Sequence, residues 1–163
     1  MLSKKMESAL NGQLNAELFS SYLYLSMAAC FESTNMQGMA KWMKVQAKEE
    51  EGHAMRFFDH VVDRTGRVKL AAIEAPETEW ASPLAAFEAA YAHEQKVTGL
   101  INELVKQAEG ESDTATRAFL QWFVTEQVEE EKSVDEVVQK LRMVKEAAPA
   151  LLMLDAVLGK RGE

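Results

Sequence analysis

Apolar residues recur at alternating steps of three and four along four long stretches of the chain. The first reads Leu10, Leu14, Glu17, Ser21, Tyr24, Ala28 and the second Met43, Ala47, Glu50, Ala54, Phe57, Val61. The third reads Leu84, Phe87, Tyr91, Glu94, Thr98, Ile101, Val105 and the fourth Leu120, Phe123, Gln127, Glu130, Val134, Val137, Leu141. That spacing is the inward stripe of a bundle helix. Local punctuation predicts the ends. Ser3 or a neighbour caps a first helix that runs to about Phe31, and residues 32–36 break it. A second helix runs to about Thr65 and is stopped by Gly66. Residues 66–82 lack a helical period and carry Pro76. Ser82-Pro83 joins an N-cap to a proline at the first helical position and opens a third helix, to about Gln107. A turn at 110–113 leads into a fourth helix ending near Lys145. Pro149 opens a short fifth segment, 150–158, ended by Gly159.

Each long helix of roughly 28 residues spans ~42 Å. The short links make helices one and two, and three and four, antiparallel neighbours. The middle connection of about 17 residues reaches ~56 Å when extended, enough to run the length of the bundle. The predicted fold is all-α: a four-helix bundle with one long crossover between helices two and three, plus a short C-terminal fifth helix, in one domain spanning 1–163.

Composition supports long helices, with eight glycines, three prolines and nine methionines in 163 residues. The net charge of −8 argues against a nucleic-acid partner and suits cations. A single cysteine, Cys30, allows no intrachain disulfide. No 18-residue apolar run predicts a membrane span and the N-terminus has no secretory pattern, so the expected location is cytoplasmic. Leu18 to Phe31 holds fourteen residues without a charge, on every face of helix one. A bundle buries one stripe, so this surface and the fifth segment (Leu151, Leu152, Leu154, Val157, Leu158) predict a homo-oligomer; further packing within the chain is the alternative.

Each seam is broken near its centre by a carboxylate: Glu17, Glu50, Glu94 and Glu130, with Gln127 beside the last. Mid-helix positions meet at one level whichever way the helices run. His53 follows Glu50 by one turn. Four buried carboxylates without partners are very costly. Shared protons would relieve them in part; two divalent cations would balance them fully. Oxygen donors with one imidazole suit iron or manganese better than a thiolate-seeking metal. Glu126, Glu129 and Glu130 share a side of helix four and Glu49 adjoins Glu50, which offers a further cation position or only a solvated acidic face.

These residues resemble the prokaryotic non-haem ferritins, and the resemblance covers essentially the whole chain. It rests on Asn15-Ala16-Glu17-Leu18, Lys48-Glu49-Glu50-Glu51-Gly52-His53-Ala54, Glu79-Trp80-Ala81-Ser82-Pro83, Tyr91-Ala92-His93-Glu94, and the run from Phe119 to Glu131. It implies one iron on Glu17, Glu50 and His53 with Gln127 close by. A second iron takes Glu50 as bridge, Glu94 and Glu130, and a third position takes Glu49, Glu126, Glu129 and Glu130. Tyr24 matches a tyrosine that can supply an electron; the alternative is a core tyrosine with a satisfied hydroxyl. Bacterioferritins carry a haem-ligating methionine where Glu51 stands here, so no haem is expected. The resemblance implies a ferroxidase that oxidises Fe²⁺ to Fe³⁺ with O₂ or H₂O₂ and stores hydrated ferric oxide in a shell of 24 subunits. At −8 each, such a shell carries roughly −190 and concentrates Fe²⁺. A di-iron oxidase that keeps its metal, and a non-catalytic helical assembly protein, are the competing readings.

Overall fold

The computed structural model describes residues 1–162. Five helices follow in order: α1 (Lys4–Ser33), α2 (Gln37–Asp63), α3 (Pro83–Gly110), α4 (Thr114–Val144) and α5 (Ala148–Leu158). No strand occurs among the described residues. The fold is thus all-α, with four long helices, a crossover without regular structure between α2 and α3, and a short fifth helix.

Three starts follow from side-chain caps. Ser3 accepts a hydrogen bond from the Met6 amide, Ser82 from the Ala85 amide, and Asp113 from the Thr116 amide. Each satisfies one of the four amides that a helix leaves orphaned at its start. α2 has no side-chain cap of its own. Asp155 of α5 replaces it, accepting from the Gly38 and Met39 amides at 3.1 and 2.8 Å. Stop signals lie one residue away from where composition suggests. The left-handed residue after α2 is Thr65, with φ 56°, and Gly66 follows it, its amide donating to the Val61 carbonyl at 2.8 Å. This is a Schellman-type closure in which the glycine sits just past the left-handed position.

Cross-links fix the topology. Ser21 of α1 donates to the Ala47 carbonyl of α2, Thr98 of α3 to Glu131 of α4, and Arg142 of α4 to Glu88 of α3. The crossover lies along α1, where Asn11 receives the Lys69 amide and Asn15 and Ser26 donate to the Ala72 and Glu77 carbonyls. α3 consequently runs parallel to α2.

The predicted stripes of α2 and α4 are buried in full. The α3 stripe is rotated. Phe87, Glu94 and Ile101 are inward as expected, but Ala90, Val97, Leu104 and Ala108 complete the buried row. Leu84, Tyr91, Thr98 and Val105 are only partly covered. α5 also departs from expectation. Leu154 and Leu158 are seated in the intrachain core, whereas Leu152, Met153 and Val157 are exposed.

The apolar interior falls into two clusters. One is built around Tyr24, Met27, Met43, Phe87 and Leu141, the other around Met6, Leu10, Phe57, Ile101, Leu120 and Phe123. Each fully buried Leu, Met or Phe contributes roughly 1.5–3 kcal/mol. That stabilisation on both sides offsets the cost of the polar layer between them.

Candidate metal centre

The layer between the two clusters receives Glu17 from α1, Glu50 and His53 from α2, Glu94 from α3, and Gln127 and Glu130 from α4, all of them buried. Glu17, Glu50 and Glu94 are each 1% exposed. Because every stripe carries its carboxylate at mid-helix, four separate elements deliver their acids to one level.

Two sets of donors can each hold a cation. In Glu17, Glu50 and His53 one ligand atom per residue lies within 4.8 Å of the others, and the same holds for Glu50, Glu94 and Glu130. Glu50 belongs to both, as a bridge would. A third set, His53, Glu126 and Glu130, meets the same limit.

Amides and a phenol hold these carboxylates in place. Gln13 donates to Glu17 Oε1 at 2.8 Å. Gln46 Nε2 donates to Glu50 Oε1 at 3.1 Å and to Glu130 Oε2 at 2.6 Å, tying α2 to α4. Gln127 donates to the Glu94 carboxylate and carbonyl, both at 3.2 Å. Tyr24, fully buried, donates its hydroxyl to Glu94 Oε1. His53 Nδ1 is 3.3 Å from Glu50 Oε2, and its ring is wedged edge-on against Trp122 and Phe123.

The electrostatics are one-sided. Burial, then the Glu50 charge, pushes Glu17 up to about 8. Burial, then Glu94, pushes Glu130 up to about 7. Glu50 is raised well above the ordinary range by burial and by Glu94 and Glu130, and burial raises Glu94. The Tyr24 phenol is raised by burial and by Glu94. Glu17 Oε2 is buried with no hydrogen-bond partner. An orphaned carboxylate oxygen facing other carboxylates fits a divalent cation, and the donor set of oxygens with one imidazole fits iron or manganese.

The acids suggested for a further position are brought together only in part. Glu126 and Glu130 meet at His53. Glu49 instead pairs with Arg161 at 2.5 Å, and Glu129 is exposed. Glu129 is one residue, about 100°, off the inward stripe, which turns it towards solvent. Gln127, buried in the same layer, donates its amide to the Glu94 carboxylate. Tyr24 satisfies its hydroxyl on a candidate ligand, which suits both a core role and an electron-supplying one.

Sequence reasoning missed Gln13 and Gln46. Both precede a mid-bundle acid by four residues, Gln13 before Glu17 and Gln46 before Glu50, a helical i,i+4 pair that was open to view. Arg161 had no local signal.

A family model for the ferritin-like domain matches residues 7–144. The chain is 42% identical over 161 residues to a bacterial non-heme ferritin of Bacteroides fragilis (strain 638R), covering 99% of this chain and 100% of that one. It is 38% identical to a probable bacterial non-heme ferritin-like protein of Haemophilus influenzae, over 98% of this chain and 96% of that one. An open-pore ferritin of the hyperthermophilic archaeon Archaeoglobus fulgidus superposes with a TM-score of 0.98 at 55% identity, covering 99% of each chain.

Proposed function

The chain belongs to the ferritin family, and on that premise we propose that it is an iron-storage subunit with ferroxidase activity. Its substrate is Fe²⁺, taken up in pairs by the mid-bundle carboxylates, and its oxidant is O₂ or H₂O₂. The observation that carries this reading is the pair of donor sets sharing Glu50, in a layer where all four acids are pushed towards their neutral forms.

Without metal, Glu17 and Glu130 hold protons near neutral pH, because burial and each other's neighbours oppose their charge. Arrival of Fe²⁺ displaces those protons and restores the carboxylates as ligands. Glu17, Glu50 and His53 hold one ion, and Glu50, Glu94 and Glu130 the other. Gln13, Gln46 and Gln127 keep the carboxylate planes fixed through their donated hydrogen bonds. Tyr24, hydrogen-bonded to Glu94, can pass the oxidant an electron beyond the two that the iron pair supplies, its proton going to the Glu94 carboxylate. The iron pair gives two electrons, one per ion, which take O₂ to hydrogen peroxide or H₂O₂ to water, and the released Fe³⁺ is hydrolysed by water to hydrated ferric oxide with loss of protons. No haem takes part. With Leu152, Met153 and Val157 exposed on α5, and Tyr22 and Leu25 on α1, subunits associate into a hollow shell, 24 in number, in the cytoplasm.

Many Fe²⁺ per chain added in air test the reading. The expected product is soluble, amber and co-elutes with a very large particle. Iron that precipitates outside the protein, or oxidation no faster than in buffer, contradicts it. Leu152→Arg is expected to lower the fraction of large particle in gel filtration while leaving helix content intact. Leu154→Arg instead places a charge in the intrachain core and lowers the yield of folded subunit.

A further inference from the structure

The start of α2 is crossed by α5 at backbone contact. A Cβ on Gly38 would lie 1.8 Å from the Asp155 carbonyl oxygen, and one on Gly159 would lie 3.1 Å from the Gly38 Cα, so glycine at both points makes the crossing possible. Asp155, on the same crossing, caps α2. The segment after α5 is therefore laid along α2, where Arg161 meets Trp42, Gln46 and Glu49, residues that share one face at steps of four and three. Its guanidinium stacks over Trp42, 4.1 Å from the ring centroid, and Nη2 donates to Glu49 Oε2 at 2.5 Å. These contacts hold the fork where Nη2 also donates to Gln46 Oε1 at 2.7 Å.

Gln46 is fully buried. A guanidinium can only donate, so the amide turns its oxygen to Arg161 and its nitrogen to the opposite side. There Nε2 donates to Glu50 Oε1 at 3.1 Å and to Glu130 Oε2 at 2.6 Å. One amide thus carries a fixed orientation from the guanidinium to two acids of the central layer, on two different helices. With Oε1 of Glu50 held in this way, Oε2 is the oxygen beside His53 Nδ1.

We propose that Arg161 is a positioning residue for the metal centre and acts through Gln46: by occupying the amide oxygen it keeps the amide nitrogen on Glu50 and Glu130, and so sets which oxygens these acids offer a cation. This deepens the reading of the central carboxylates as the layer that binds the iron pair, and rests on it. The sign of the effect separates positioning from charge. A guanidinium near a cation site repels the cation, so removing its charge alone would tighten metal binding. Losing the positioning bond weakens binding instead, because the hydrogen-bond partners of metal ligands are typically worth about 10–100-fold in affinity.

The test is anaerobic titration of the assembled, metal-free particle with Co²⁺, a divalent probe whose d–d absorption reports its ligands. Wild type is expected to bind two ions per chain tightly. Gln46→Leu should weaken the pair about tenfold or more, as loss of a direct partner of the ligands. Arg161→Met, which keeps an apolar stem on Trp42, should weaken it roughly three- to tenfold, one bond further out, and shift the d–d bands in the same direction as Gln46→Leu. Arg161→Gln, too short to reach Gln46, should match it. In a Gln46→Leu background, Arg161→Met should change the affinity by less than about twofold, since the relay is already cut. Binding that is unchanged or tighter in both Arg161 variants overturns the assignment while the central pair stands. Weakening that persists in full without Gln46 overturns it too. Absence of the tight pair in wild type removes the reading beneath it, and the Arg161 assignment with it.

Discussion

Two polar clusters join the helices of this bundle, one half-buried at its end and one buried at its middle, and they are built on opposite principles. At the end where α2 finishes and α4 begins, Arg64 donates to Asp113 Oδ1 and to Thr116 Oγ1, both at 2.9 Å, and Thr116 donates back to Asp113 Oδ2 at 2.8 Å. His60 sits 3.1 Å from the same hydroxyl and stacks on Phe119, ring centroids 3.9 Å apart. Burial, then Arg64, lowers the His60 pKa and keeps the ring neutral. One positive and one negative group cancel, and the network closes on itself. At mid-bundle, four carboxylates face one imidazole and three amides, every acid is raised, and Glu17 Oε2 has no partner. Burial is partial at the end, where only Thr116 is fully enclosed, and deep at mid-bundle, where every acid is buried. A deeply buried and uncompensated excess of one charge is what marks a functional site.

The largest expected break in this contrast is kinetic. Glu94 belongs to a donor set and Glu129 does not. Glu94→Ala leaves the second cation with two carboxylates and should slow the initial oxidation of two Fe²⁺ per chain by about 100-fold or more, since the reaction needs both ions together. Glu129→Ala should leave that initial rate within about twofold and alter only later uptake. Stopped-flow traces of the two variants side by side decide it. Equal losses would dissolve the distinction.

Stability gives a smaller effect of opposite sign in the two clusters. In metal-free protein at pH 7, Glu17→Gln removes a group that resists ionisation and should stabilise by about 1–3 kcal/mol. Arg64→Met breaks a mostly buried pair and should destabilise by about 1–2 kcal/mol, between the limits for exposed and buried pairs. Denaturant midpoints of both variants read this directly, and a loss for Glu17→Gln would contradict it.

The pH dependence is smaller still. Glu17 and Glu130 are raised from 4.5 to about 8 and about 7, so between about pH 5 and 8 the folded metal-free protein holds more protons than the unfolded chain. Its stability should therefore fall as pH rises through that window. Saturating Zn²⁺ should abolish or reverse the slope, because metal binds the deprotonated acids. Glu17→Gln should flatten it. A metal-free slope that rises from pH 5 to 8 would count against the electrostatic picture.

Much of the bundle was legible in the chain. α2 and α4 carry one apolar row each, so their stripes and their mid-helix acids followed from spacing alone. α3 carries two apolar rows a residue apart, Leu84, Tyr91, Val105 and Ala90, Val97, Leu104, and periodicity cannot choose between rows only 100° apart. Packing chose the row of smaller residues. α5 has leucines on both faces, so Leu154 and Leu152 look alike in sequence although one is core and the other exposed. At the centre, the acids and His53 were readable because a carboxylate in an apolar stripe has no ordinary reason to be there. The partners of Glu49 were not: Arg161 stands 112 residues away and is brought there only by the crossing of Gly38 and Gly159.

The central claim is that the excess negative charge at mid-bundle exists to hold two cations that share Glu50. Its most direct test is a crystal structure of the protein soaked anaerobically with Fe²⁺, with anomalous difference maps at the iron edge. The account predicts two strong peaks in each subunit, one flanked by Glu17, Glu50 and His53 and the other by Glu50, Glu94 and Glu130. A single peak that does not touch Glu50, or iron confined to exposed acids such as Glu129 while the central carboxylates keep their metal-free arrangement, would contradict it.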